Sequence, residues 1–266
     1  VEYGILVLAS LVALVPLYAM LTASLAEPDA FTGSIAPPAN PVFYNYPDAW
    51  QVLGFRTLFT NSVLLSVTTA VLTTGLAAMA AFGLIRYRFA GRSALIVGFV
   101  ALIAVPPISI IIPLFLRMAD LGWVGEVQAA PTALAGLFLP FAIMLLFSFM
   151  RDLPGELFEA ATIDGASGSR QFWHIALPLS RSSVSTVALV TAVFAWNDLL
   201  VPLILWPTAD LQTLTVGLAS LGPSRTGLRS VPVLMAGVAL SVAPMVLLFL
   251  FARKAFLRGL TEGAVK

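Results

Sequence analysis

An all-α fold, a polytopic bundle of six membrane helices with both termini cytoplasmic, is what this sequence predicts, and three observations carry that prediction. Of 266 residues, 59% are hydrophobic and only 10% charged, where a soluble domain carries roughly 25% charged residues. Apolar runs of about 20 residues, long enough to cross a hydrocarbon core of roughly 30 Å as helices, recur along the chain. The basic residues collect in alternate loops between those runs, as they do in membrane proteins of fixed orientation.

The runs fall near residues 4–26, 58–85, 94–116, 130–150, 183–206 and 232–252. The first is too long for a signal-peptide core and lacks a small-residue cleavage site followed by a soluble domain, so it reads as a retained span, with room for a short leader before Val1. The loop after it, Glu27 to Arg56, is rich in proline (Pro37-Pro38-Ala39-Asn40-Pro41). Its aromatics Phe43, Tyr44, Tyr46 and Trp50 are expected at the membrane interface.

In the second run Ser62, Ser66, Thr69 and Thr73 stand at i, i+4, i+7 and i+11, on one helical face that should turn away from lipid. Two uses of that face stay open, close helix packing through hydroxyl residues and contact with a polar solute. Asn61, where this run begins, is a candidate for the substrate pathway. Prolines interrupt the runs at Pro16, Pro106, Pro107, Pro113, Pro140, Pro202 and Pro244. Each removes an amide donor and frees a carbonyl one turn earlier. In lipid that carbonyl needs protein or cavity water, so the set points to a transport structure rather than an anchor.

The fifth run contains Trp196-Asn197-Asp198. An acid near a helix centre costs roughly 2.5–3.5 kcal/mol on insertion scales, so it needs compensation. Adjacent residues point about 100° apart on a helix, so Asn197 and Asp198 cannot both face one pore. Both are pathway candidates, and the alternative is a structural polar clamp. Pro202 leaves the Asp198 carbonyl without its helical donor and marks a kink there.

Orientation follows from the loops. With an inside amino terminus, Arg86, Arg88, Arg92, Arg151, Arg170, Arg181, Arg253, Lys254, Arg258 and Lys266 are cytoplasmic, against Arg56, Arg117, Arg225 and Arg229 outside. This asymmetry accounts for the basic residues, so the net charge of +1 gives no reason to expect nucleic acid. Cysteine is absent, which excludes disulfides, thiolate metal sites and cysteine nucleophiles. The single histidine, His174, has no paired carboxylate or second His at ligand spacing, so no metal site is expected.

Between the fourth and fifth runs lies a charged island with internal turn chemistry. Asp152 is placed to cap a short helix whose first turn contains Pro154, and Asp164-Gly165 supplies its end and reversal. Ala160 and Ala161 would let a partner approach the backbone, and Glu156 and Glu159 offer charge. Phe172, Trp173 and Ile175 give an apolar face before Leu177-Pro178 leads back to the membrane. An isolated interfacial helix has no use for this turn and return.

Glu159-Ala160-Ala161, Gly165 after three residues, then nine residues and Ile175-Ala176-Leu177-Pro178 resemble the EAA loop of bacterial ABC importer permeases. The resemblance extends along nearly the whole chain. It takes in Ala80-Ala81-Phe82-Gly83-Leu84 with Arg88-Phe89-Ala90-Gly91-Arg92, Pro106-Pro107 with Ile112-Pro113-Leu114, and Pro140-Phe141-Ala142-Ile143. Asp164-Gly165-Ala166, Trp196-Asn197-Asp198 and the closing Gly259 to Lys266 complete it. The chain is thus similar to the membrane subunits of carbohydrate importers, above all the maltose-type subunit usually second in the heterodimeric pair. Ser182 departs from the pattern, where relatives often have proline, and bears on the loop exit.

The resemblance implies a type I ABC importer permease fold. Residues 1–57 would be the first span with its outside loop, 58–252 the permease core containing the loop 151–182, and 253–266 a cytoplasmic tail. Glu159, Ala160, Ala161, Asp164, Gly165 and Ala166 would couple to a cytoplasmic ATPase, and the tail after Gly259 would reach the same subunits. The implied partners are a homologous permease chain, two ATP-binding subunits, an extracytoplasmic solute-binding protein, the sugar and the bilayer of a bacterial cell membrane. ATP and Mg would sit on the ATPase subunits and no cofactor on this chain, which has no G-x-x-x-x-G-K-[ST] and only two lysines.

A di- or oligosaccharide of maltose or trehalose type is the favoured solute, with glycerol phosphate esters or polyols as the alternative. A proton-coupled transporter would need a relay of buried ionisable groups, and Asp198 stands nearly alone in the runs. An intramembrane enzyme would need a nucleophile and base or a metal set. The runs contain no histidine, cysteine or carboxylate pair.

Overall fold

A computed structural model describes residues 2–28, 31, 33, 35–52, 54–220 and 231–264, with the backbone alone for residues 2, 52, 249 and 251–264. Arg225 and Arg229 of the expected outside loop, and Val265 and Lys266 of the tail, lie outside the described residues. So do the side chains of Arg253, Lys254 and Arg258.

Every regular element among the described residues is helical. In order these are α1 (Glu2–Ser24), α2 (Asn45–Val52), α3 (Phe55–Arg86), α4 (Arg92–Ile103), α5 (Pro107–Asp120), α6 (Ala129–Met150) and α7 (Gly155–Ile163). Then come α8 (Gly168–Gln171), a π-helical turn (Phe172–Ala176), α9 (Leu177–Leu179), α10 (Arg181–Asn197), α11 (Leu200–Leu205), α12 (Leu214–Ser220) and α13 (Val231–Ala264). Among the described residues four helices are long and apolar enough to cross a membrane, Tyr3–Ser24, Phe55–Arg86, Ala129–Met150 and Val231–Leu248, or six if each of two bent helix pairs is one span. The short helices α2 and α12 lie where the sequence suggested loops.

The third apolar run is not one helix. It breaks between α4 and α5 with a bend of 103°. The cause is Pro106-Pro107: neither has an N–H, and a residue before proline is driven to extended backbone. Pro106 takes φ −61°, ψ 128°, and the last amides before it, Ala104 and Val105, turn back to the carbonyls of Ala101 and Leu102. The fifth run is also divided. Its helix ends at Asn197, and α11 starts at Leu200. The second bent pair joins Gly168–Leu179 to Arg181–Asn197 at 79°.

Two compact units divide the chain. One contains Val1–Ser62 and Ala209–Leu248. There the Asn45 amide donates to the carbonyls of Ser24 and Ala26 (2.8 and 2.9 Å), satisfying groups that the end of α1 leaves open. Of the aromatics expected at the interface, Phe43, Tyr44 and Trp50 are exposed. Tyr46 instead packs with Ala49, Val233 and Ala236, its hydroxyl 2.8 Å from Ser24 Oγ. A Cβ on Gly217 would meet the end of the Leu58 side chain of α3, which would have to shift to admit it.

The other unit contains Val63–Thr208 and Phe249–Lys266. At its centre α6 packs against α4, α5, α10 and α11. Twenty-two residues at 1.5 Å each give it about 33 Å of length. Its buried Ala142, Ile143, Leu146 and Met150 join Ala77, Ala81 and Phe82 of α3, Val187 of α10, and Phe172 and Ala176 in one core. That core reaches the base of the charged island, which it holds in place.

Candidate functional site

The charged island folds into a handle of two short helices joined by a tight reversal. Pro154, not Asp152, is the N-cap of α7 (φ −59°, ψ 118°), and no side chain caps it. The reason is geometric: proline already holds the extended backbone that precedes a first helical turn, so α7 starts two residues later than an Asp152 cap would allow. Asp152 lies 4.0 Å from Arg151.

The far end of α7 is closed by backbone bonds. Gly165 takes φ +75°, the left-handed conformation that glycine adopts without a Cβ penalty. Its N–H donates to the Thr162 carbonyl (3.1 Å), and that of Ala166 donates to Ala161 (2.8 Å), the paired bonds of a Schellman end. Asp164 occupies the C-cap. Ser167 then accepts from the Arg170 N–H and caps α8. Local turn chemistry therefore closes the end of α7.

This geometry gives α7 an outward face. Glu156, Glu159, Ala160, Asp164 and Gly165 are exposed and Ala161 and Ala166 half-buried, with Leu157 (45% exposed) and Ile163 (87%) flanking them. The result is a ridge of small and acidic residues tipped by an uncovered isoleucine. Trp173 is exposed as well, whereas Phe172 and Ala176 are buried. His174 is exposed, its Nδ1 3.1 Å from the Arg170 carbonyl.

The inward face is fastened to α3 by residues that sequence reading missed. Arg86 donates from Nε to Gln171 Oε1 (3.0 Å) and from Nη2 to Thr162 Oγ1 (2.9 Å). Gln171 in turn donates to Thr162 Oγ1 (3.0 Å) and the Ala166 carbonyl (3.1 Å). Phe82 packs on Phe158 and Phe172 at centroid distances of 6.1 and 5.5 Å. Beside these contacts an open pocket of about 340 Å³ is lined by Phe82, Arg86, Met150, Arg151, Phe158 and Glu159 among others, so Glu159 borders it while remaining exposed. The available signal was Gln171, a polar residue directly before the Phe172-Trp173 pair, which needs a partner once buried.

The pathway candidates lie elsewhere and use their polar groups on backbone. The Asn61 amide donates to the carbonyls of Asp210 (2.7 Å) and Gln212 (2.9 Å), and Ser62 Oγ accepts from the Leu214 N–H. Asn197 is exposed and donates to the Val193 carbonyl one turn earlier (2.8 Å). Asp198 is not inside a helix. It is extended (φ −69°, ψ 129°), and its Oδ1 accepts from the Val201 N–H at 2.9 Å, a capping bond to α11. The other end of α11 is held by Trp206, whose indole N–H donates to the Glu126 carbonyl (2.9 Å), and by the Gly125 N–H on Leu205. As expected, Ser62, Ser66, Thr69 and Thr73 are all buried. Among the described residues, the hydroxyls of Ser66, Thr69 and Thr73, with that of Thr74, find no hydrogen-bond partner.

Comparison with known proteins places these elements in context. Residues 73–262 match the model of the family described as binding-protein-dependent transport system inner membrane component. The chain is 31% identical to the melibiose/raffinose/stachyose import permease protein MelC of Bacillus subtilis (strain 168), over 98% of this chain and 96% of that protein. It is 28% identical to the diacetylchitobiose uptake system permease protein NgcG of Streptomyces coelicolor, over 100% and 88%. It is 30% identical to the trehalose/maltose transport system permease protein MalG of Thermococcus litoralis, over 98% and 94%. In fold it is similar to a chain in the crystal structure of a bacterial ABC transporter involved in the import of the acidic polysaccharide alginate. The TM-score is 0.82 at 22% identity, covering 96% of this chain and 95% of that one.

Proposed function

The chain belongs to the family of binding-protein-dependent transport system inner membrane components, and from that premise we propose that it is a permease subunit of an ATP-driven importer for a di- or oligosaccharide. It forms the translocation pathway with a homologous permease chain, receives sugar from a solute-binding protein outside, and is driven by two ATP-binding subunits inside. Both termini and the handle face the cytoplasm of a bacterial cell. ATP and Mg bind the ATPase subunits, so this chain transports without hydrolysing. Residues 1–57 form the first span and outside loop, 58–252 the core, and 253–266 a tail that meets the ATPase.

The observation that carries this reading is the outward ridge of α7. A helix pre-set by a Schellman end, small at Ala160 and Ala161 and acidic at Glu159, suits a groove on a partner, and its apolar tip Ile163 (87% exposed) gains from being covered. Closing of the ATPases around ATP would swing the handle, and the broken helices at Pro106 and Asp198 would turn that swing into alternating access through rigid-body gating. The sugar class is supported by MelC, NgcG and MalG, whose names specify di- or oligosaccharides. A maltose- or trehalose-type solute is favoured within it. Sugar hydroxyls suit the Asn, Ser and Thr side chains of the runs, and Asn61, Asn197 and Asp198 are the pathway residues proposed.

Uptake of labelled disaccharide into vesicles carrying the reconstituted complex tests the proposal. Accumulation that requires ATP on the handle side supports it. Accumulation without ATP that follows a proton gradient would overturn it in favour of a secondary transporter.

A further inference from the structure

We infer that Arg86, Thr162 and Gln171 form the joint through which the handle moves α3, with Arg86 as its positioning residue. The covalent leads of α7 run to α6 before it and through α8 to α10 after it, so those helices are the obvious routes for its motion. The non-covalent attachments run to α3 instead. Arg86, the last residue of α3, reaches both limbs of the handle at once: Thr162 on α7 (2.9 Å) and Gln171 on the returning helix (3.0 Å).

Three features make this a joint and not an incidental surface contact. First, its bonds interlock: Thr162 Oγ1, on an exposed residue, accepts from Arg86 and from Gln171 and donates to the Phe158 carbonyl (2.7 Å), and Gln171 is 3% exposed. Arginine presents donors in a rigid planar fork, so two acceptors fix its direction, whereas the rotatable ammonium of a lysine sets none. Second, one turn earlier Phe82 repeats the same bridge in apolar form, touching Phe158 on one limb and Phe172 on the other. The polar and aromatic layers together tie the tilt of α7 to the end of α3.

Third, α3 carries a buried row of hydroxyls, Ser66, Thr69, Thr73 and Thr74, so whatever moves the end of this helix also moves a polar face in the interior. The cation at the carboxyl end of this helix is also on the side its dipole prefers. Displacement of the handle would therefore shift α3 along with its hydroxyl face.

The inference rests on the docking of the handle against an ATPase, and the test separates the two. The complex with binding protein and both ATPase subunits is reconstituted with Arg86→Ala, Arg86→Lys, Gln171→Leu and the double variant Arg86→Ala/Gln171→Leu, beside Glu159→Lys. ATPase co-purification and sugar moved per ATP hydrolysed are read for each. The expected result is retained ATPase and ATP hydrolysis, with sugar per ATP reduced from about twofold to about thirtyfold in Arg86→Ala. Arg86→Lys should fall between native and alanine, and the double variant should lose no more than the worse single.

Native sugar per ATP in Arg86→Ala, or losses that multiply in the double variant, overturns the joint. So does failure of Arg86→Lys to retain the ATPase, which would make Arg86 a folding residue. If Glu159→Lys uncouples and the Arg86 variants do not, only the joint fails. If Glu159→Lys leaves coupling intact, the docking reading fails with it.

Discussion

The handle at residues 151–180 and the break at residues 197–199 are both polar interruptions of an apolar chain within one unit, and they spend their polar groups in opposite ways. In the handle, backbone closes the turn and the conspicuous residues Glu159, Ala160, Asp164 and Gly165 are left facing outward. At the break, the conspicuous side chains do the closing: Asp198 caps α11, and Asn197 folds back on the Val193 carbonyl. The difference teaches that unusual residues in a membrane chain announce either a surface offered to a partner or a helix end that must be satisfied without water.

The largest effect that would break this contrast is at the handle's turn. Gly165→Pro removes the N–H that donates to Thr162 and forbids φ +75°, a cost of about 3 kcal/mol or more. Every 1.4 kcal/mol is a factor of ten, so uptake should fall at least about a hundredfold while extracted yield shows that the chain still inserts. Asp198→Ala comes next. It removes a capping acceptor and should lower stability by about 1 kcal/mol, read as the midpoint of thermal unfolding in detergent. Asp198→Asn keeps an acceptor and should melt like the native chain. If it lowers uptake with unchanged melting, Asp198 meets the solute as proposed in addition to capping α11; native uptake would leave it a cap alone.

At the other end of α11, Trp206→Phe deletes the donor to Glu126 while keeping most of the buried ring, and should cost about 1 kcal/mol without altering sugar per ATP. The smallest effect is at Asn197, where alanine loses one exposed bond to its own helix. Its stability should change by less than about 0.5 kcal/mol, so any large loss of uptake there would identify a pathway contact.

What sequence reading recovered follows the range of the interactions. Asp164-Gly165 was legible because a Schellman end is written in adjacent residues, and the buried row on α3 because its period is helical. Pro106-Pro107 was visible as a kink, but the 103° break depends on two consecutive missing donors acting together. Asp198 was read as an acid inside a helix. Its capping of Val201, three residues on and just before Pro202, is a local pattern that the long apolar run obscured. Arg86 was read only as a marker of orientation, because its partners lie 76 and 85 residues away and no local pattern links them.

The central claim is that the handle couples this chain to an ATPase, and stimulation of ATP hydrolysis by sugar-loaded binding protein tests it most directly. The reconstituted complex is compared with native chain and with Glu159→Lys, at equal insertion. Loss of stimulation in the variant, with basal hydrolysis retained, is the predicted result. Full stimulation of the variant by a sugar that the native complex transports would contradict the claim.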